Sequence, residues 1–149
     1  MKYEPGMILA FRWDTESYGV CKVTGITETR KEPIISIVTY SNSYDSPPEK
    51  FDPAEELKPM VLHMPMLLPA IEASECTAIG NAEVSPEEQD GFENWLSAWK
   101  ERRTGFFKQT IPDAVDHIIE AMAQVESSAS EDSMYRERLM QRWRNEGPR

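Results

Sequence analysis

Short runs of apolar and β-branched residues, separated by polar or proline-containing turns, dominate the first 84 residues. This pattern is typical of strands. The predicted strands are MILAFRW (7 to 13), YGVCKVTGITE (18 to 28), IISIVTY (34 to 40), a short edge strand KPMVLHMP (58 to 65) and CTAIGNAEV (76 to 84). The intervening LLPAIEASE fits a strand end, a turn or one helical turn equally well.

No long helix separates these runs, which argues against parallel βαβ units and favours antiparallel pairing. Gly19 and Gly25 lie within one predicted strand, where they would permit the bulges that a bent sheet needs. The predicted fold class is α+β: a small bent antiparallel sheet, or an SH3-like open barrel, followed by two or three helices.

The pattern changes to a helical period at Ser85. Ser85-Pro86-Glu87-Glu88 combines an N-cap, a proline at the first helical position and capping-box spacing. The helix is predicted to end near Arg103. One face of it carries Phe92, Trp95, Leu96 and Trp99, and such a stripe is expected to cover the apolar face of a sheet. Each indole N–H needs an acceptor, so the tryptophans are expected at the rim of the core.

A second helix is predicted from Thr110, with an apolar stripe of Val115, Ile118, Ile119 and Met122. The serine-rich SSAS at 127 to 130 interrupts it. A third helical segment, 131 to 146, carries the candidate interface residues Tyr135, Leu139 and Trp143. The predicted organisation is a β-barrel-like part at 1–84, two helices packed on it at 85–126, and a C-terminal helical extension at 127–149.

The charge of the C-terminal extension differs from that of the second helix. Residues 133 to 149 hold five arginines and two glutamates, whereas residues 113 to 132 hold six acids and no Lys or Arg. The extension is therefore predicted to dock on its own body, to exchange with a second copy in a homodimer, or to contact a partner.

The net charge limits the classes of partner that the chain is expected to bind. The chain has 149 residues and a formal net charge of −10, so nucleic-acid phosphates and anionic lipid surfaces should repel it, and an electrostatic partner should be basic. Its apolar runs are too short to span a bilayer. Cys21 and Cys76 are not in a CxxC pair, which fits reduced thiols. The expected location is the cytoplasm, in a protein of bacterial type.

The loop predicted at 41 to 56 is the main candidate binding surface, because long loops are either functional or disordered. A solvated loop stiffened by its prolines is the alternative interpretation. Its candidate binding residues are Tyr44, Asp45, Glu49, Phe51, Asp52, Glu55 and Glu56. Their acidic and aromatic composition would suit a positively charged macromolecule.

Catalytic motifs are absent from the sequence. There is no GxSxG, GxGxxG, phosphate-binding loop or HExxH, and we predict no catalytic residue, no metal and no cofactor. Asp113 and His117 are four apart on the second helix, a spacing that fits a surface hydrogen bond better than a metal site. The alternative function is a small-molecule binder or hydrolase. Its pocket would lie between barrel and helices, lined by Trp13, Tyr18 and Tyr40, with acids such as Asp14 or Glu16 acting there.

Three N-terminal segments, PGMILAFRW, YGVCKV and IISIVTY, resemble small barrel-type immunity proteins that accompany bacterial polymorphic toxins. The later run LHMPMLLPAIEASECTAIGNAEVS, with the aromatic helix after it, is also similar. The resemblance covers roughly residues 5 to 100 and excludes the chain beyond residue 105. It implies a cytoplasmic inhibitor that blocks a toxin by binding it.

Overall fold

A computed structural model describes residues 2 to 127, in which a sheet precedes the two longer helices. The elements are β1 (Met7–Arg12), β2 (Tyr18–Thr27), β3 (Ile34–Tyr44), β4 (Pro59–Leu67), α1 (Leu68–Ala73), β5 (Thr77–Asn81), α2 (Pro86–Lys100) and α3 (Ile111–Ser127). The predicted helix at 131 to 146 lies outside the described residues. The undecided segment LLPAIEASE supplies α1, which has a proline in its first turn.

The strands form one antiparallel sheet in the order β4-β3-β2-β1-β5. The predicted α+β class with an antiparallel sheet is confirmed. The sheet is open, because β4 and β5 lie at opposite edges and do not pair. Strand β3 continues to Tyr44, four residues beyond its predicted end, so the long loop is 45–58 rather than 41 to 56.

Glycines in β2 allow aromatic rings to lie directly on the backbone. The β2–β3 register shifts between Gly19 and Cys21 and again between Val23 and Gly25, as the glycine pattern predicts. A Cβ at Gly19 would lie 2.3 Å from Nε1 of Trp13, and one at Gly25 would lie 2.5 Å from the ring of Phe92. Any larger residue at these positions would displace the aromatic ring that covers it.

Both faces of the sheet are buried. We call the first the α3 face, because α1 and the first turns of α3 cover it, and the second the α2 face, because α2 and the loop 45–58 cover it. The α3 face contributes Leu9, Phe11, Cys21, Val23, Ile35, Ile37, Met64 and Met66, packed with Ile71, Ile111 and Val115. The α2 face contributes Ile8, Ala10, Val20, Val38 and Tyr40 to one cluster, and Ile34, packed with Trp95, to a second.

Helix α2 begins with the predicted capping box, in which Ser85 and Glu88 each accept the other's backbone N–H. The helix ends at Lys100, three residues before its predicted end. Trp95 is 6% exposed and its Nε1 donates to the carbonyl oxygen of Gly105 at 3.0 Å. The aromatic face of α2 therefore closes the core, as predicted, with Trp95 stacked on the half-buried Trp99 at 5.5 Å.

Helix α3 packs only at its beginning. Ile111, Ala114 and Val115 are buried, whereas Ile119 is 48% and Met122 is 59% exposed. The predicted stripe is thus covered along its first half by the sheet. Along its second half, the side chains of Ile119 and Met122 stay largely exposed within residues 2 to 127.

Candidate functional site

A buried ionic cluster joins the sheet to α2. Lys22 from β2 places Nζ 2.9 Å from Oε1 of Glu88 and donates to the carbonyl oxygen of Glu83 at 2.8 Å. Tyr40 from β3 donates its hydroxyl to Oε2 of Glu88, and the Ser85 N–H donates to Oε1 at 2.8 Å. All three charged or phenolic side chains are buried, which is tolerated because each one has a partner.

The protonation states of this cluster follow from its contacts. Burial raises the pKa of Glu88, but hydrogen bonds from Tyr40, Ser85 and Lys22 outweigh it and hold the pKa below its ordinary value. Burial and then the neighbouring Glu88 carboxylate raise the pKa of Tyr40. Neither pKa is shifted toward neutrality, as a general acid or base requires. The cluster instead fastens the beginning of α2 to β2 and β3.

The residues predicted to bind a partner at the loop 45–58 fall into two groups, one that packs on the sheet and one that is exposed. Tyr44 and Phe51 are half-buried against the α2 face, and Phe51 N–H donates to the carbonyl oxygen of Ile79 at 2.9 Å. Glu55 accepts from Tyr44 Oη and from Asn42 Nδ2, so it holds the loop to β3. The carboxylates that remain exposed are Asp45, Glu49, Asp52 and Glu56.

The predicted aromatic pocket does not form. Trp13 packs against Phe11 on the α3 face, with ring centroids 4.7 Å apart, whereas Tyr40 is buried in the α2 face. Asp14 accepts the N–H groups of Glu16 and Ser17 at 2.8 and 2.9 Å, which accounts for it as a hairpin-turn residue. Trp13 and Tyr40 therefore cannot line one cavity.

A smaller cavity does bring two predicted binding residues together. Tyr18 and Glu49 line a volume of about 310 Å³. Arg12, Pro48 and Glu75 lie in the same wall. This cavity is a cleft between β1, β2 and the loop.

The outer edge of β4 is covered along only part of its length. Near its end, Leu67 N–H donates to the carbonyl oxygen of Phe107 at 2.9 Å, and Phe107 N–H donates to that of Pro65 at 2.7 Å. No strand among the described residues pairs with the outer side of residues 59 to 63. In that stretch Met60 is 36% and Leu62 is 43% exposed.

The segments next to these two apolar residues carry exposed acids. A Cβ at Gly91 would lie 3.5 Å from the carbonyl oxygen of Leu62, so α2 passes β4 here. Asp90 precedes Gly91 and Glu87 lies about one helical turn before it, and both are exposed. The loop that leads into β4 carries the exposed Glu56. We call Met60, Leu62, Glu56, Glu87 and Asp90 the open-edge surface.

A larger cavity, of about 560 Å³, lies at the opposite end of β4. Its walls are the β2–β3 turn at 29–32, the end of β4 at Leu67, and the segment between α2 and α3 at Phe106 and Lys108. Leu67 and Phe106 supply apolar surface. Arg30, Lys31 and Lys108 supply positive charge, so the cavity is basic although the chain as a whole is acidic.

The two histidines belong to the packing of the helices. The ring of His63 lies 5.5 Å from that of Trp95 and 6.4 Å from that of Phe92, and burial lowers the pKa of His63 to about 4. The rings of His117 and Phe107 form a T-shaped pair with centroids 6.3 Å apart. In residues 2 to 127, no three His, Cys, Asp or Glu side chains are grouped so as to hold a metal ion.

Sequence reasoning missed both the open-edge surface and the basic cavity. The prolines that flank this strand predicted an edge strand, but nothing local shows which part of its outer edge stays uncovered, so Met60 and Leu62 look like ordinary strand residues. Arg30 and Lys108 lie far apart in the chain and meet only after folding. Lys22 did carry a signal: it occupies an apolar position of an alternating strand, which indicates a buried partner.

Comparisons of this chain with protein-family models, with curated proteins and with solved structures found no match. Among residues 2 to 127, no helix is long and apolar enough to cross a membrane. A functional assignment for this chain therefore depends on its surface and cavities.

Proposed function

We propose that this chain is a non-catalytic binding protein for a basic protein, and that it acts as a toxin-neutralising immunity protein. The observation that supports this proposal is the open-edge surface, where Met60 and Leu62 are exposed and the neighbouring segments carry the exposed acids Glu56, Glu87 and Asp90. An apolar centre with a polar rim is the usual composition of a protein interface.

The backbone of β4 limits where a partner would bind. Pro59 has no N–H, and the carbonyl oxygen of Pro65 already accepts from Phe107. Residues 60 to 63 therefore offer a short open edge, and open edges are common sites for an added strand. The partner would place apolar side chains against Met60 and Leu62.

Charge favours a basic partner over an acidic one. The loop 45–58 holds five acids and two lysines, and Glu87 and Asp90 extend the acidic surface onto α2. With a net charge of −10, the chain would attract a positively charged protein and speed its encounter. Basic side chains of the partner would pair with Glu56, Glu87 and Asp90.

The buried titratable groups support a binding role. Lys22, Tyr40 and Glu88 satisfy one another beneath α2, and the exposed Asp14 is held in its turn. Each of these side chains has a structural partner that accounts for it. The proposal therefore assigns none of them a catalytic role.

The test is a growth-protection assay combined with direct binding. The protein encoded by the gene next to this one is expressed in a sensitive host, with or without the full chain, and the two purified proteins are titrated by calorimetry. We expect protection, and an affinity that falls between about 50 and 500 mM salt because the charges are screened. The variant Leu62→Lys should weaken binding by at least about tenfold, because it places a cation before a basic partner.

Ile119→Lys is the matched control, since Ile119 is exposed to a similar degree on α3 and does not belong to the open-edge surface. It should bind as the unaltered chain does. Three results would contradict the proposal: an acidic partner, an affinity that does not depend on salt, or equal losses in Leu62→Lys and Ile119→Lys. If the chain binds the neighbouring protein but does not protect the host, the immunity role is wrong and only the binding role stands.

A further inference from the structure

We propose that the basic cavity at the end of β4 binds a small amphipathic anion, a carboxylate or phosphate that carries an apolar group. This site is independent of the open-edge surface, and it would operate whether or not the chain binds a toxin. Its volume of about 560 Å³ is within the range of small-molecule pockets.

The positive charge of the cavity is available to a ligand. No carboxylate among the described residues forms an ion pair with Arg30, Lys31 or Lys108. Glu32 is the single acidic residue among the described lining residues, so cations exceed anions by two there. An anion would thus gain charge-assisted hydrogen bonds without breaking an existing ion pair.

The apolar part of the cavity indicates that the ligand is not a bare inorganic anion. Phe106 is buried and belongs to the aromatic cluster under α2, and the partly buried Leu67 packs against the same cluster. An apolar group bound in the cavity would contact Leu67 and Phe106 and would shield from water the parts of these side chains that face the cavity. The combination of apolar floor and cationic rim favours a ligand with both parts.

The walls are fixed before any ligand enters. Thr29 Oγ1 accepts the N–H of Lys31 at 3.0 Å and donates to the carbonyl oxygen of Glu32 at 2.7 Å, which holds the turn. Phe107, next to Lys108, forms two backbone hydrogen bonds with the end of β4. The backbone therefore needs little ordering on binding, and the ordering cost falls on the cationic side chains that contact the anion.

To test this proposal, the full chain is titrated separately with octanoate, octyl phosphate, octanol and inorganic phosphate, and binding is measured by calorimetry. We expect saturable binding of at least one of the two amphipathic anions, with octanol and inorganic phosphate at least about tenfold weaker. The stronger of the two anions identifies the head group as carboxylate or phosphate. Amide chemical-shift changes should centre on residues 29–32 and 106–108.

The variant Arg30→Gln/Lys31→Gln/Lys108→Gln should lose at least about tenfold in affinity. Lys50→Gln/Lys58→Gln removes two exposed positive charges from the loop at the opposite end of β4 and should bind within about twofold of the unaltered chain. Equal losses in the two variants, binding of octanol as tight as that of the anions, or no saturable binding of either amphipathic anion would overturn the proposal. Inorganic phosphate binding as tightly as octyl phosphate would overturn the assignment of an apolar group.

Discussion

Acidification from pH 7 to pH 5 should destabilise this protein through His63. The ring packs against Phe92 and Trp95, and neither of its nitrogens has a hydrogen-bond partner among the described residues. Burial therefore favours the neutral ring and lowers its pKa from 6.5 to about 4. In the unfolded chain the same ring accepts a proton near its ordinary pKa.

The sign and size of the change in the free energy of unfolding follow from this difference in pKa between the folded and unfolded chain. As pH falls below 6.5, the unfolded state binds a proton that the folded state excludes, so the free energy of unfolding decreases until the pH reaches about 4. Relative to pH 7, a folded pKa of about 4 implies a loss of about 0.7 kcal/mol at pH 6 and about 2 kcal/mol at pH 5. This interval lies above the ordinary pKa values of Asp and Glu and brackets that of His, so the assay is directed at the histidine.

The assay is urea unfolding followed by tryptophan fluorescence at pH 7, 6 and 5. In His63→Leu, which has no titrating ring, the decrease between pH 7 and pH 5 should shrink to below about 0.5 kcal/mol. His117→Leu is the control and should keep the original decrease, because it leaves His63 unchanged. If His63→Leu loses stability with acid as steeply as the unaltered chain, the buried neutral histidine is not the cause and the reasoning is refuted.

Three further predictions concern the core and the C-terminal segment. Trp95→Ala should cost about 3 to 5 kcal/mol in urea unfolding; a loss below about 1 kcal/mol would mean that the ring is not buried. Lys22→Met should cost about 3 to 5 kcal/mol because it leaves Glu88 charged and buried, and adding Glu88→Gln should restore part of it; no recovery in the double variant would contradict the ion-pair account. Deleting residues 128 to 149, which include Tyr135, Leu139 and Trp143, should change the number of chains per particle in light scattering or lower solubility. A truncated chain with the same number of chains per particle, stability and solubility would show that this segment covers neither α3 nor a second copy.

Local sequence patterns were enough to predict most of the architecture. Alternating apolar runs located all five strands because each strand must present residues to a buried face. Ser85-Pro86-Glu87-Glu88 located the start of α2 because a capping box requires only residues three apart. The spacing of Phe92, Trp95, Leu96 and Trp99 indicated a helix covering the sheet, and the buried Trp95 agrees.

Strand order, burial of polar groups and the surfaces could not be predicted from local patterns. The prolines predicted that β4 is an edge strand, but the sequence did not show that β5 pairs with β1 to form the opposite edge, or that Phe107 covers only the end of β4. It also placed Trp13 with Tyr18 and Tyr40, although Trp13 and Tyr40 lie on opposite faces.

The difference has a physical reason. Residues close in the chain interact through the fixed geometry of a helix or a strand, so their spacing alone predicts their shared face. The pairing of Lys22 with Glu88 joins positions 66 residues apart, and the basic cavity joins the turn at 29–32 to Lys108. Such contacts depend on which strands become neighbours and which helix covers them, and that choice is made by the packing of the whole core.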